Sequence, residues 1–396
     1  MPTLKRRNHN GTPNRLYRNK GNFVFEDVTK GSGLDNNGWA QAVTHTDLNG
    51  DGRQDVIVGN DFGVNGYYLN EGKGRFVDIS STIGTDKPSY TMGIGLADLN
   101  DDNAPDIYIS NIVTMNKDQK YVLPSANTTQ VFNPDKLANM RVVEANDLFL
   151  SVVEKLNPTN MNYQLSDVVE RGYSSTGWSW GAEFFDSDND GDDDLYVLNG
   201  MNEFNLYSSE NPYYTDPSGA AKNVVLPEDT REKNVFFVNE NGRLNNVSKH
   251  SGLDQWGNSR SAAYLDLDAD GDLDIVVNNY HEAARVFRND SAPKENRWLK
   301  IRLVGSPAQG VNRDAIGARL VLRTQGGERV WREVHGSSGY MTVQSKTQHF
   351  GLGKSTRADV EVIWPNGQHQ VFRGLESGRS WQIAYGESRP VLQKVP

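Results

Sequence analysis

Short apolar runs, separated by turns rich in Asn, Asp and Gly, recur along the first three quarters of the chain. Four acidic nine-residue loops align without gaps, at Asp47–Asp55, Asp98–Asp106, Asp186–Asp194 and Asp266–Asp274. Each loop is followed by a short run of β-branched and aliphatic residues (VIVGN, IYISN, LYVLN and IVVNN) and is preceded by a run containing small residues. The pattern predicts an acidic loop between two β-strands, repeated four times.

A second recurring unit places alternating aromatic or branched residues around an Asn/Gly turn. It begins at Leu16, Tyr67 and Val235, and a weaker copy begins at Asp147. Such segments predict β-hairpins. A hairpin together with a loop-centred pair of strands makes four strands, which is one blade of a β-propeller.

Two segments interrupt the repeat as inserts, near residues 113–145 and 200–232. The first contains a helix candidate over Pro134–Leu150, whereas the second, rich in Asn, Ser, Tyr and Pro, is typical of a surface loop. We therefore expect an all-β fold, with a propeller of four clear units over residues 14–290 and a small β domain over residues 291–390.

The side chains of the four loops favour calcium. Positions 1, 3, 5 and 9 are Asp or Asn in every copy, and position 7 offers only a backbone carbonyl at Arg53 and Ala104. Several oxygen ligands on a tight loop suit Ca²⁺, whereas Mg²⁺ demands stricter octahedral geometry. Position 6, where the backbone must turn sharply, is Gly in three copies and Asn103 in the second, so we expect the second site to be the weakest.

We predict about four calcium ions, one for each loop. An EF-hand is excluded because position 12, which needs a bidentate Glu, is apolar in all four copies. A solvated Asx turn explains any single loop, but four copies in register favour a metal. The predicted ligands are Asp47, Asn49, Asp51, Arg53 and Asp55; Asp98, Asn100, Asp102, Ala104 and Asp106; Asp186, Asp188, Asp190, Asp192 and Asp194; and Asp266, Asp268, Asp270, Asp272 and Asp274.

Composition narrows the function classes. The formal net charge of -10 argues against a nucleic-acid surface, which needs a clustered Lys/Arg face, and the absence of Cys excludes disulfides and thiolate chemistry. No apolar run is long enough to span a membrane, and no apolar segment follows the basic residues near the start. We expect an extracellular or periplasmic location if a signal peptide has been removed, and a cytoplasmic one otherwise.

Three ionisable residues in the strands before the loops break the pattern of small and apolar side chains: His45, Glu183 and Arg260. If these strands line the propeller channel, the three side chains could converge as a catalytic cluster. The structural alternative is an ion pair between Glu183 and Arg260 together with a local hydrogen bond from His45.

The loops resemble FG-GAP/VCBS repeats, such as the calcium loops of integrin α-subunit propellers. The C-terminal segments Asn296–Gly305, Asn312–Arg319, Gly339-Tyr-Met, His349–Gly353 and Val362–Gly367 resemble the ASPIC/UnbV domain. The chain is thus similar to proteins of the cartilage acidic protein-like family. This resemblance implies a calcium-dependent propeller followed by a β-sandwich-like domain. Four clear units are fewer than such propellers usually have, so the ring has fewer blades, contains degenerate blades in the inserts, or is completed otherwise.

Two functions remain open. The first is a calcium-stabilised binding or scaffold module that holds a protein, glycan or small-molecule ligand. The second is a calcium-dependent enzyme, a cyclase or isomerase acting on a natural-product intermediate in the propeller mouth or at the domain interface. The second follows from the resemblance, because some bacterial family members belong to natural-product biosynthesis whereas vertebrate members are matrix proteins. A deep pocket containing Glu183, Arg260 or His45 would favour the enzyme.

Overall fold

The structure of the protein is a computed structural model that describes residues 11–112, 146–152, 162–165, 176–200, 231–240, 242–291, 293 and 295–393. These residues form a nearly all-β fold, as the sequence predicts. The two inserts lie almost wholly outside the described residues. Within the described ranges, no helix is long and apolar enough to cross a bilayer.

The first half of the repeat region forms two antiparallel meanders and a small hairpin. The meanders are β3-β4-β5-β6 and β7-β8-β9-β10, and pairing of β4 with β7 joins them into one sheet. The strands are β1 (Tyr17–Asn19), β2 (Phe25–Asp27), β3 (Trp39–Thr46), β4 (Asp55–Val64), β5 (Gly66–Gly72), β6 (Arg75–Asp78), β7 (Pro88–Ala97), β8 (Asp106–Asn111), β9 (Asp147–Ser151) and β10 (Tyr163–Leu165).

The second half adds a four-stranded sheet, β11-β12-β14-β15, a three-stranded sheet, β17-β18-β19, and the small pair β13-β16. The single described α-helix, α1 (Ser248–Ser251), follows β15. The strands are β11 (Ser179–Phe185), β12 (Asp194–Asn199), β13 (Glu232–Lys233), β14 (Val235–Glu240), β15 (Arg243–Asn246), β16 (Trp256–Gly257), β17 (Ser259–Leu265), β18 (Asp274–Asn279) and β19 (Arg285–Phe287).

All four predicted hairpins are confirmed, as β1–β2, β5–β6, β9–β10 and β14–β15. The helix candidate is wrong at its end, because Asp147–Ser151 is strand β9 paired with β8. Hydrogen bonding to a buried neighbouring strand outweighs the weak helical preference of this short segment. The remainder of that candidate lies outside the described residues.

Four strands, which we call the inner strands, precede the four loops: β3, β7, β11 and β17. Each contacts the next in this order, so the four strand groups that contain them follow one another as blades around an axis in a propeller-like arc. Small residues allow this approach. A Cβ added at Gly93, Gly95 or Gly181 would crowd the backbone carbonyl of the next inner strand. The glycines are therefore required by close packing of main chains.

The C-terminal domain consists of two four-stranded sheets, β23-β20-β26-β27 and β22-β21-β24-β25, which share one apolar core containing Leu299, Leu320, Phe350 and Trp364. This arrangement confirms the β-sandwich-like expectation. A 3-10 turn (Pro307–Gln309) follows β20. The strands are β20 (Trp298–Val304), β21 (Arg319–Thr324), β22 (Arg329–Glu333), β23 (Thr347–Gly351), β24 (Arg357–Ile363), β25 (His369–Glu376), β26 (Arg379–Ala384) and β27 (Val391–Leu392).

The connection between β22 and β23 lies on the axis of the arc. Its segment Ser337–Gln344, which we call the axial segment, contacts all four inner strands, and it links the first of them to the last. This favours the alternative in which the ring is completed by another part of the chain. The bonds are Thr44 Oγ1 to Ser337 O (3.1 Å), Gly339 N to Ile94 O (3.1 Å), Ser338 Oγ to Glu183 Oε2 (3.0 Å) and Tyr264 N to Gln344 Oε1 (3.0 Å).

We predict that Gly339→Ala destabilises the fold more than Gly367→Ala. Both glycines have positive φ, which costs an L-residue roughly 1–2 kcal/mol. A Cβ at Gly339 would also overlap the Glu183 carboxylate, whereas one at Gly367 meets nothing within 4 Å. The overlap should add about 1–3 kcal/mol to the loss. Urea denaturation of both variants measures the difference, and equal losses would contradict a tightly seated axial segment.

Candidate functional site

The four loops share one set of backbone contacts. The Asp at position 9 accepts one amide N–H from position 2 of its own loop. It accepts a second amide N–H from a residue in, or just after, the third strand of the same blade. In the first loop these are Leu48 N to Asp55 Oδ2 (2.9 Å) and Asn70 N to Asp55 Oδ1 (2.7 Å). Asp106, Asp194 and Asp274 do the same in the other loops. Position 9 thus joins the loop to the third strand of its sheet.

The backbone of each loop turns twice through the left-handed region. Position 6 has positive φ in every loop, and Asn103 at +70° adopts the same turn as the glycines. Position 4 also has positive φ in every loop, which the sequence did not reveal because the residue there differs from copy to copy. These position 4 residues are Gly50, Asp101, Asn189 and Ala269. The second loop therefore keeps the geometry of the others despite its missing glycine.

Burial raises the pKa of most loop carboxyls, because removing a carboxylate from water disfavours its charged form. The shifts occur in all four copies, and repulsion from neighbouring Asp side chains of the same loop adds to them. The pKa of Asp47 and of Asp98 rises to about 6. The pKa rises to about 7 for Asp55, Asp106, Asp190, Asp194 and Asp272.

The third and fourth loops fit a cation best. In the third, one oxygen from each of Asp186, Asp188 and Asp190 lies within 4.8 Å of the other two, and Asp266, Asp268 and Asp274 do the same in the fourth. Within the described residues, the buried atoms Asp186 Oδ1, Asp266 Oδ1 and Asp272 Oδ1 have no hydrogen-bond partner. Buried oxygens without a donor are expensive, so a bound cation would satisfy them.

In the first and second loops, protein groups already engage more of the oxygens. Asp47 accepts amide N–H groups on both oxygens, and Arg53 forms an ion pair with Asp51. In the second loop, Trp331 Nε1 donates to Asp98 Oδ2 at 2.6 Å. A metal there would share its ligands with these donors, so the fit is weaker than in the third and fourth loops.

The C-terminal domain supplies the positive charge that reaches the loops. Arg332 forms an ion pair with Asp193 at 2.8 Å, and Lys300 forms one with Asp266. Gly351 N also donates to Asp186 Oδ2 at 2.9 Å. The acidic ends of the arc therefore face this domain, and their charges are partly balanced by it.

The structure does not bring Glu183, Arg260 and His45 together. Glu183 is buried and accepts hydrogen bonds from Ser338 and Gln344 of the axial segment. Burial raises its pKa to about 8. Arg260 instead lies over Trp180, with its Cζ 4.1 Å from the ring centroid. The contacts of Glu183 and of Arg260 lie in different places, so the structure shows neither a shared cluster nor the alternative ion pair between them.

A repeated β-bulge explains where Arg260 lies. Each inner strand shifts register near the same repeat position, between Ala40 and Ala42, Thr91 and Gly93, Ser179 and Ala182, and Ser259 and Ser261. Arg260 is the extra residue of its bulge. A bulge re-aims a side chain away from the regular alternation of the strand, so the spacing in the sequence could not place Arg260.

His45 forms a hydrogen bond with the C-terminal domain. One of its ring nitrogens, Nε2, accepts the Gly336 amide N–H at 2.7 Å, and the other, Nδ1, lies 2.5 Å from Gln54 Oε1. His45, Glu333 and His335 are close enough to be a possible metal group. Because both nitrogens of His45 are engaged, its imidazole has no lone pair left for a metal. Burial lowers the pKa of His45, which therefore stays neutral.

A cavity of about 380 Å³ lies between the arc and the C-terminal domain. The ends of inner strands β7, β11 and β17 form its floor, and residues of β20, β22 and β23 form its roof. Glu183 lines it, together with Glu333 and His335. Neither His45 nor Arg260 is among the lining residues. Of the three candidate catalytic residues, Glu183 alone lines this cavity.

Comparison with known families agrees with this architecture. An FG-GAP-like repeat model matches residues 7–58 and 47–109, and an "ASPIC and UnbV" model matches residues 308–390. The chain therefore contains FG-GAP-like repeats and a C-terminal ASPIC/UnbV domain. The third and fourth loops lie outside the matched ranges, but they share the backbone contacts of the first two.

Curated relatives extend the similarity over nearly the whole chain. Cartilage acidic protein 1 of Homo sapiens is 23% identical over 381 residues, which are 94% of this chain and 48% of the relative. The Xenopus tropicalis protein of the same name is 26% identical, covering 94% of this chain and 47% of the relative. The chain spans about half the length of these relatives. Among solved structures, a chain from "Cryo-EM structure of RAG in complex with one melted RSS and one unmelted RSS" has a TM-score of only 0.31, with 12% identity over 91% of this chain and 86% of that one.

Sequence reasoning missed the partners that the ASPIC/UnbV domain contributes. Ser338 and Gln344 hold Glu183, and Glu333 and His335 lie beside His45. In the sequence, Gly339 marks only the resemblance to the ASPIC/UnbV domain and does not indicate a contact with Glu183. A buried Glu in an inner strand signals that a donor must come from elsewhere in the chain, but it does not say from where.

We predict that Glu183→Gln stabilises the protein increasingly as pH rises. The folded-state pKa of about 8 lies above the ordinary value of 4.5, so the stabilising contribution of Glu183 is fully present below pH 4.5 and is lost as pH rises through 8. The gain of the variant should grow with pH by at most about 1.4 kcal/mol per unit. Thermal unfolding between pH 5 and 9 measures it, with the exposed Glu387→Gln as control. A gain independent of pH would contradict a buried neutral Glu183.

Proposed function

We propose that this protein is a calcium-stabilised, propeller-like binding or scaffold module whose ASPIC/UnbV domain completes the arc of blades. The observation that carries the proposal is the set of buried carboxylate oxygens in the third and fourth loops that have no donor within the described residues. Four loops with the same backbone contacts support a shared ion-binding role. A hard, flexible cation with oxygen ligands is the natural occupant.

The residues that would hold the ions are the Asp and Asn side chains at positions 1, 3, 5 and 9, together with the position 7 residue of each loop. Bound Ca²⁺ would supply the positive charge that these buried carboxyls lack. Asp194 at position 9 already accepts the amide N–H of Asn239 on its Oδ1 at 2.8 Å. Asn239 lies in β14, the third strand of the same blade. An ion at this point would therefore stiffen a whole blade, and not the loop alone.

A rigid arc offers surfaces for a protein, a glycan or a small molecule, and the acidic composition argues against nucleic acid. The curated relatives are named for cartilage, and this supports a matrix-like binding role. The chain matches about half the length of those relatives, so a matrix-like role for this chain is part of the proposal.

We predict that Ca²⁺ raises the melting temperature of the full chain after EGTA treatment, and that Mg²⁺ at the same concentration raises it less. Calcium at about 1,000 times its Kd should add roughly 4 kcal/mol for each site that binds only the folded state. Differential scanning calorimetry with and without EGTA measures the shift. A melting temperature that EGTA leaves unchanged would refute the structural role of calcium.

Asp188→Asn tests one site by itself. It removes one charge from the third loop but keeps an oxygen, so the calcium affinity of that loop should fall by about tenfold or more. The matched control is Asp359→Asn, an exposed carboxylate of the ASPIC/UnbV domain that pairs with Arg373. Isothermal titration calorimetry measures the calcium affinity of both variants. Identical calcium binding in both would exclude the third loop as a site.

The cavity favours a second candidate, an enzyme of the cyclase or isomerase type acting on a natural-product intermediate at the domain interface. A carboxyl with a pKa of about 8 can donate or accept a proton near neutral pH, and Glu183 lines the cavity. A test is turnover of candidate intermediates by the wild type and by Glu183→Gln. Undiminished turnover in Glu183→Gln would remove this residue from the mechanism, and His45→Ala tests His45 in the same way.

A further inference from the structure

The cavity between the arc and the ASPIC/UnbV domain contains an unusual number of polar atoms without partners. Glu183 and Tyr264 lie in its floor, and Glu333 and His349 lie in its roof. These residues are 4%, 6%, 5% and 8% exposed, respectively. Within the described residues, Glu183 Oε1, Tyr264 OH, Glu333 Oε1 and His349 Nδ1 have no hydrogen-bond partner. An unsatisfied buried polar group costs about 1–3 kcal/mol, so the cavity is built for a polar occupant.

Three of these four atoms only accept hydrogen bonds once both carboxyls are ionised, a state that a cationic occupant would favour over the neutral acids that burial alone favours. His349 Nε2 lies 2.6 Å from Asn189 Oδ1, and the Asn189 amide nitrogen donates to Gly271 O, so Nε2 carries the proton. Burial lowers the pKa of His349, which leaves Nδ1 as a bare acceptor. The two carboxylate oxygens are acceptors when ionised. The occupant must therefore bring donors.

The charges around the cavity specify the kind of donor. Its two basic side chains are already paired, Lys300 with Asp266 and Arg332 with Asp193. Glu183 and Glu333 form no ion pair with any Lys or Arg of the described residues. Burial raises the pKa of Glu333, and electrostatic interactions with His45 and Arg319 oppose that shift only in part. A buried carboxylate without a cation is strongly disfavoured. An occupant that carries positive charge would balance both acids and satisfy their free oxygens.

The walls suit an organic cation more than a bare metal ion. Phe184, Phe185 and Trp298 line the same cavity, so apolar groups of the occupant would contact apolar side chains. The volume of about 380 Å³ is at the small end of the range for small-molecule sites, roughly 300–1,000 Å³. It exceeds what one ion needs.

We propose that this cavity binds a small organic cation, an amine or ammonium compound, whose N–H donors contact Glu183 and Glu333. One carboxylate comes from the propeller-like arc and the other from the ASPIC/UnbV domain, so the ligand bridges the two. The proposal rests on Glu183 and Glu333, although the first Asp of the second, third and fourth loops also lines the cavity (Asp98, Asp186 and Asp266). Its failure would leave the calcium proposal standing, and loss of the calcium proposal would leave this one standing.

The test uses the full chain with saturating Ca²⁺ and a pair of probes that share one carbon skeleton, putrescine and 1,4-butanediol. We expect isothermal titration calorimetry to detect putrescine binding and to detect none for the diol. Glu333→Gln and Glu183→Gln should each weaken putrescine binding by at least about tenfold, which corresponds to 1.4 kcal/mol. The exposed Glu387→Gln is the matched control and should bind like the wild type.

Two further measurements distinguish binding in the cavity from misfolding of the variants and from binding at the acidic loops. Melting temperatures establish that both Gln variants are folded, and Asp188→Asn tests whether putrescine binds at a calcium loop instead. Unchanged putrescine affinity in Asp188→Asn supports the cavity. The proposal is overturned if putrescine does not bind, if the diol binds equally well, if both folded Gln variants keep the wild-type affinity, or if Asp188→Asn abolishes binding.

Discussion

The hydrogen bonds between the axial segment and the four inner strands are the contacts on which the rest of this architecture depends. The arc of blades has a first and a last inner strand, and the axial segment reaches both, through Ser337 and Thr44 at one side and Gln344 and Tyr264 at the other. Repeat architectures need atypical elements at their ends, because each repeat buries its faces only against a neighbour. Here a different domain supplies that element.

The same contacts create the interior between the two parts. Because the axial segment enters between the inner strands, the sheets of the ASPIC/UnbV domain lie over the acidic ends of the arc. Arg332 and Lys300 then meet Asp193 and Asp266. The cavity between them is lined by Glu183 of the arc and by residues of the second domain, so it belongs to neither part alone. The order of the loops, the docking of the C-terminal domain and the shape of the cavity therefore depend on the same packing and ion-pair contacts.

Burial of carboxyl groups recurs throughout the protein, with different consequences. In the loops, clustered acids on a turn with two left-handed residues match the oxygen-rich coordination of a hard cation. In the cavity, Glu183 and Glu333 come from separate domains and face aromatic walls. The first arrangement favours a metal ion, and the second favours a larger molecule with N–H donors. In both places, burial disfavours the charged form of the carboxyl.

The sequence alone determined the features that depend on neighbouring residues: the loops, their flanking strands, the hairpins and the turn at Asn103. These follow from local periodicity and backbone preference. In the sequence, a hairpin from Asp147 competes with a helix ending at Leu150. Only the tertiary structure decided for the strand, since its partner β8 lies across an insert. It also decided that Arg260 lies over Trp180, because a bulge breaks the alternation, and that Glu333 and His335 lie beside His45. Those residues are almost three hundred positions apart. No local pattern encodes such contacts, which arise only when the two domains pack together.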